Sequence, residues 1–241
     1  MIFSLVGCAG KAPPSYQWGV ASSSLHRGDV KGALIRRSKE VRGVEGRLWA
    51  KVDVGGEDRP SVRTEVYWIK DSSRGTQFKV LGLGPFSMTL FEARFLGGDF
   101  SLILPRDKVL YRDRVNEQVR NLFRYVFDPW GVSMLKGAQV GEDEEGNIGI
   151  YVGAGPYEIR ALFKADLTPL FLEIDGVRVE YRLPQEISST IVYNGVPVHV
   201  RLSISRINLV NPDEVLSFLE TPVNVAGFRV LSLRSILEQH P

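Results

Sequence analysis

Cys8 is the only cysteine in 241 residues, and it stands where a thiol could be alkylated. Leu5-Val6-Gly7 sets apolar and small residues directly before it, and Ala9-Gly10-Lys11 follows. This pattern matches a lipobox, where cleavage before the cysteine frees an amino group and leaves a sulfur, both open to acylation. A complete secretory signal carries a basic stretch and roughly 7–15 apolar residues; the segment before Cys8 is shorter, so a truncated signal is expected. A single cysteine also excludes an internal disulfide.

No other residues form a catalytic constellation. His26, His199 and His240 lie far apart, outside any H-x-x-x-H or C-x-x-C spacing, so neither a metal nor a cofactor is expected. A G-x-S-x-G elbow, a phosphate-cradling loop and a dinucleotide fingerprint are all missing. Leu81-Gly82-Leu83-Gly84-Pro85 is glycine-rich, but it joins two strands rather than opening a helix, so no helix N-terminus waits for phosphate. Glu142-Asp143-Glu144-Glu145 reads as a solvated turn. The 30 Lys and Arg residues are interspersed with 28 Asp and Glu, leaving a net charge of +2 and no clustered basic face for nucleic acid. No run approaches the ~20 apolar residues of a membrane-spanning helix. The expectation is a binding protein, not an enzyme.

The elements that would position a binding site are mostly strands. Residues 9–22, with Pro13-Pro14, read as a flexible tether, and a serine-capped helix is expected from Ser23 or Ser24 to Val41. The period then changes from helical to two. Strands are expected at 44–54, 62–70, 77–81, 86–90 and 100–104, separated by Gly, Pro, Asp and Ser, which describes an antiparallel meander. Alternation sets Leu48, Ala50, Val52, Val66, Trp68, Phe78, Val80, Phe86, Met88, Leu90, Leu102 and Leu104 on one face. Trp49, Tyr67 and Ile69 fall on the other. Val115, Val119, Leu122, Phe123 and Val126 mark one side of a helix across 114–127, with arginines around the rest and Asp128-Pro129 as its stop. Six more strands are expected between 147 and 207, with Asp175-Gly176 and Asn194-Gly195 as tight hairpin turns. A short helix from Asn211 or Pro212 to Phe218 and a closing strand at 223–233 complete the pattern. Such an order favours one curved sheet wrapped around helices, with an oily groove beside the helical stripe.

This layout resembles the bacterial outer-membrane lipoprotein carrier and receptor superfamily, the LolA/LolB-like lipoproteins. The stretch from Val80 through Gly82, Leu83, Gly84, Pro85 and Phe86 to Leu90 is similar to the receptor segment in which an apolar residue protrudes between the third and fourth strands. Tyr111 through Leu135 resembles the mid-chain helical insert, and Tyr193 through Leu202 resembles the late hairpin. The insert departs from the family in being rich in arginine. The resemblance implies a mainly β fold with helices, in which a single curved antiparallel sheet forms an incomplete barrel closed by helices over a hydrophobic cavity. It also implies that Leu83 and Phe86 touch membrane or cargo.

The expected organisation is a truncated lipoprotein signal and tether over residues 1–22, a half-barrel domain over 23–233 and a C-terminal tail over 234–241. The expected function is a lipoprotein anchored through Cys8 on the periplasmic side of the bacterial outer membrane. Its groove of Leu48, Val52, Val66, Trp68, Phe78, Val80, Met88 and Leu90 would take acyl chains, a lipid or a lipidated protein, in transfer to that membrane. The competing expectation is a scaffold lipoprotein that grips an envelope protein through Trp49, Tyr67 and Ile69.

Overall fold

The computed structural model describes residues 29–57, 59–71, 75–115, 117–153, 158–193 and 196–232. Cys8, the tether and the first turns of the expected N-terminal helix lie outside the described residues. Helix α1 runs Val30–Glu40 and buries Ala33 and Leu34. Strands β1 (Gly43–Val54), β2 (Val62–Asp71), β3 (Gly75–Leu83), β4 (Thr89–Leu96), β5 (Asp99–Leu104) and β6 (Val109–Arg114) follow as a meander. Helix α2 (Glu117–Tyr125) and a 3-10 segment (Pro129–Met134) interrupt it. A second meander comprises β7 (Gln139–Glu142), β8 (Ile148–Val152), β9 (Ile159–Phe163), β10 (Pro169–Ile174), β11 (Val177–Arg182), β12 (Glu186–Tyr193) and β13 (Val196–Leu209). Helix α3 (Pro212–Glu220) and a short β14 (Arg229–Leu231) end the described chain.

Among the described residues fourteen strands form one sheet, ordered β14-β6-β5-β4-β3-β2-β1-β13-β12-β11-β10-β9-β8-β7. The two meanders join where β1 pairs with β13 over its whole length, from Val44 opposite Leu209 to Val54 opposite Val198. β7 and β14 are free edges, so the sheet does not close on itself. It is curved nevertheless. α2 packs against both β3 and β10, and six interstrand steps would hold those strands about 29 Å apart in a flat sheet. A helix only about 10–12 Å across touches both only if the sheet bends around it.

Several boundaries differ from the sequence expectation. β6 and β7 add a strand to each meander. The expected strand at 86–90 is instead a 3-10 turn over Pro85–Ser87 followed by β4, which starts at Thr89. The closing strand shrinks to three residues and pairs parallel with β6. The hairpin turn at Asp175-Gly176 stands as expected, with φ of 49° and 82° at the two positions. This is the double left-handed backbone a two-residue turn requires, and Gly176 supplies half of it without a Cβ clash.

The sheet's inner face carries the main core. Trp68, Phe95, Phe163, Leu48, Leu172 and Ile174 are buried there together with Trp130 of the 3-10 segment and Leu34 of α1. The outer face of β2 and β3 is covered by α3. Ile69, Val215 and Leu219 form a second buried cluster, and the Phe218 and Tyr67 rings lie 4.5 Å apart.

Candidate functional site

Between α2 and the inner face lies an apolar cavity of about 290 Å³, partly open to the surface. Ala50, Val66, Trp68, Phe78, Val80 and Phe91 of the first meander form one wall, and Val179, Ile187, Ile191, Val200 and Leu202 of the second form the other. α2 supplies the roof through Leu122 and Phe123, with Val126 and Phe127 beyond its end. Cross-strand register explains the convergence. Val66 faces Val80, Trp68 faces Phe78, and Ala50 faces Leu202, which in turn faces Ile187. Directly paired residues share a face, so the stripes of two distant meanders meet once β1 and β13 pair.

Two hydrogen bonds hold the roof, one to each half of the sheet. The Trp68 indole N–H of β2 donates to the Phe123 carbonyl at 2.8 Å, and the Tyr181 hydroxyl of β11 donates to the Val126 carbonyl at 2.9 Å. Phe123 is among the last residues of α2, whose carbonyls lack helical partners, so the indole acts as its cap. Beyond α2, Asp128 is buried. Its carboxylate accepts from Lys70 Nζ at 2.5 Å and Ser38 Oγ at 2.8 Å, and takes the Gly131 N–H at 3.1 Å. Burial pushes this carboxyl up to about 6, against the opposing pull of the Lys70 ammonium and the two hydrogen bonds.

Of the expected groove residues, Val66, Trp68, Phe78 and Val80 come together in this wall. Leu48 is fully buried in the adjoining core without lining the space. Val52 continues the same face of β1 but is 37% exposed. Met88 and Leu90 are exposed and lie outside the wall, which corrects their expected place. The 3-10 turn and a register shift between Gly82 and Leu83 reset the alternation, so Phe91, Ala93 and Phe95 pair onto the inner face through Gly82, Val80 and Phe78. Gly82 permits this: a Cβ there would overlap the Phe91 ring. The second wall is the part that sequence reasoning missed. Its signal was present as the alternation of Ile187, Ser189 and Ile191 and of Val198, Val200 and Leu202, but nothing local says which strands they face.

Phe86 is 99% exposed. It and Ser87 hold left-handed backbone, with φ of 56° and 60°, and the turn is pinned by Gly84 N–H to Met88 O at 2.8 Å and by Arg63 Nη2 to Ser87 Oγ at 2.9 Å. Leu83 is half-buried beside Trp49, Pro85 and Leu90 in a shallow depression. The exposed patch expected of Trp49, Tyr67 and Ile69 is reduced to Trp49, because α3 lies over the other two. His199 is exposed and pairs with Thr190 Oγ1 at 2.9 Å. Among the described residues, no three His, Cys, Asp or Glu side chains gather to hold a metal, and no helix is long and apolar enough to cross a membrane.

No protein-family model and no curated protein matches the chain. Solved structures are similar to it at low identity. A putative outer-membrane lipoprotein-sorting protein domain from Vibrio parahaemolyticus is 11% identical at a TM-score of 0.49, over 78% of this chain and 97% of that one. A LolA superfamily protein from Nitrosomonas europaea is 13% identical at 0.48, over 77% and 96%. A DUF1329 family protein from Desulfovibrio piger is 9% identical at 0.47, over 80% and 97%. At these values the likeness assigns neither family nor ligand.

Proposed function

We propose that this chain is a non-catalytic lipoprotein that shelters acyl chains, of a lipid or a lipidated protein, in the cavity beneath α2. The carrying observation is the cavity itself: about 290 Å³ that the chain's own side chains leave unfilled, with apolar walls from both meanders. Each methylene moved from water into such a space contributes about 0.8 kcal/mol, so a stretch of about ten would reach the micromolar range before ordering costs. Binding and release are partition steps, with no bond made or broken. The sheet with its helices serves as an incomplete barrel, α2 acting as the movable closure. Val66, Trp68, Phe78 and Val80 are the proposed contacts, and the protruding Phe86 with Leu83 meets membrane or cargo. Anchoring through Cys8 on the periplasmic side of the outer membrane rests on the Leu5-Val6-Gly7-Cys8 pattern.

The test is titration with a fluorescent fatty acid, paired with labelling by radioactive palmitate in cells. Saturable binding, competed by unlabelled fatty acid, is expected in vitro, and label on the wild type but not on Cys8→Ser is expected in cells. Unbound probe at near-millimolar protein would sink the acyl reading. Equal labelling of the two chains would sink the anchor.

A further inference from the structure

The arginine enrichment of α2 is not explained by an apolar cavity. Its apolar side roofs that cavity, while Arg120 and Arg124 on its other side line a second, wider pocket of about 680 Å³. Lys39 of α1, Lys70 of β2 and Arg114 of β6 converge on the same space, and no carboxylate lines it among the described residues. Lys70 is engaged by Asp128. Among the described residues, Lys39, Arg114, Arg120 and Arg124 have no ion-pair partner. With Lys70, these cations come from four separate elements of a nearly neutral chain with 28 acidic residues available. Like charges gathered in a concave site repel one another and focus a positive potential that a bound anion relieves.

We propose that this basic pocket takes the phosphate group of an anionic amphiphile whose chain occupies the apolar cavity, an inference that rests on the acyl-binding reading. Arginine forks match phosphate oxygens in pairs, and several cations suit a multiply charged oxyanion better than a lone carboxylate. The two spaces adjoin. Phe95 lines the basic pocket, and its ring centroid lies 5.7 Å from that of Phe78 and 5.5 Å from that of Phe123, both of which line the cavity. The Phe78, Phe95 and Phe123 rings therefore lie between the head site and the chain site, and the proposed amphiphile reaches both by displacing α2 with Phe123. The pocket is open and its arginines are exposed, so removing their charge disturbs no core packing.

The test is calorimetric titration of the full chain with a monoacyl phosphatidic acid, the matching monoacylglycerol and inorganic phosphate. Amphiphiles are kept below their critical micelle concentrations, and wild type is compared with an Arg114→Gln/Arg120→Gln variant. The charged amphiphile is expected to bind about tenfold or more tighter than the neutral one, about 1.4 kcal/mol. That gap is expected to close in the variant and near about 1 M salt, where screening shortens to about 3 Å. Equal binding of both amphiphiles, indifferent to salt and to the variant, would overturn the head site and leave the acyl reading standing. Inorganic phosphate binding as tightly as the amphiphile would overturn the chain's part in it and leave a site for free phosphate. Binding of neither amphiphile would overturn both.

Discussion

The two faces of the sheet at β2–β4 are each covered by a nine-residue helix, with opposite results. On the outer face, α3 seals Ile69 beneath it completely. Val215 and Leu219 bury against Ile69, and Lys79 Nζ sits 4.0 Å from the Phe218 ring centroid while donating to the Phe218 carbonyl at 3.3 Å. Glu92, also buried, pairs with both Lys79 and Arg94. On the inner face, α2 leaves about 290 Å³ uncovered by any side chain. Helix length therefore does not decide which face is filled. The inner wall stays hollow because valine, alanine and serine stand at Val66, Val80, Ala50 and Ser189, where larger apolar residues would reach across.

The strongest way to separate the faces is to truncate one anchor on each. Trp68→Ala removes a fully buried side chain and the cap on the Phe123 carbonyl, so a loss of about 3–5 kcal/mol is expected, together with loss of fatty-acid binding. Leu219→Ala is expected to cost about 2–5 kcal/mol by loosening α3, while fatty-acid affinity stays at the wild-type value. Urea unfolding and probe titration measure the two quantities on the same samples. Equal damage to binding from both variants would mean that the faces are not independent.

A second contrast lies in the buried charges. On the outer face, burial holds the Lys79 ammonium below its ordinary range, with Glu92 opposing. On the inner side, burial pushes Asp128 up from 3.8 to about 6. A carboxyl held higher in the folded state keeps its proton more tightly there, so its contribution is fully present below about pH 4 and is lost as pH rises through about 6. Across that window the group costs up to about 3 kcal/mol, at 1.36 kcal/mol per pH unit. Asp128→Asn is expected to flatten the fall in Tm between pH 4 and 6, measured by thermal melts at half-unit steps. An unchanged slope would assign that pH dependence to other groups.

How much of this was legible beforehand follows from where each signal sits. Val66, Trp68, Phe78 and Val80 lie in uninterrupted strands, so a period of two points them inward without further information. Phe86, Met88 and Leu90 lie across the 3-10 turn, where left-handed backbone at Phe86 and Ser87 resets the parity and brings Phe91 inward in place of Leu90. The second wall was readable as strands but not as a wall, because Ala50 meets Leu202 only through pairing of chain ends some 150 residues apart. The cover over Tyr67 and Ile69 was equally non-local: α3 announced itself through Pro212 and its acidic first turn, but not through the surface it would occupy. The basic pocket draws on four elements, and a search for runs of charge passes over it.

The smallest expected stability effect is the most pointed, because it measures emptiness directly. Enlarging a side chain in a filled core forces rotamers and backbone aside, at a typical cost of about 1–3 kcal/mol. Ile69→Phe should incur that cost, since Ile69 is fully buried under α3. Val80→Phe adds a ring on a half-buried wall position that faces open space, so its stability should stay within about 0.5 kcal/mol of wild type while fatty-acid binding weakens. The pair distinguishes a void from a cavity that relaxes shut in solution. If the cavity collapses, Val80→Phe will lose as much stability as Ile69→Phe and the inner face will behave as the outer one does. If it persists, the same ring that damages one side of β2–β3 will be accommodated on the other, occupying the space assigned to an acyl chain.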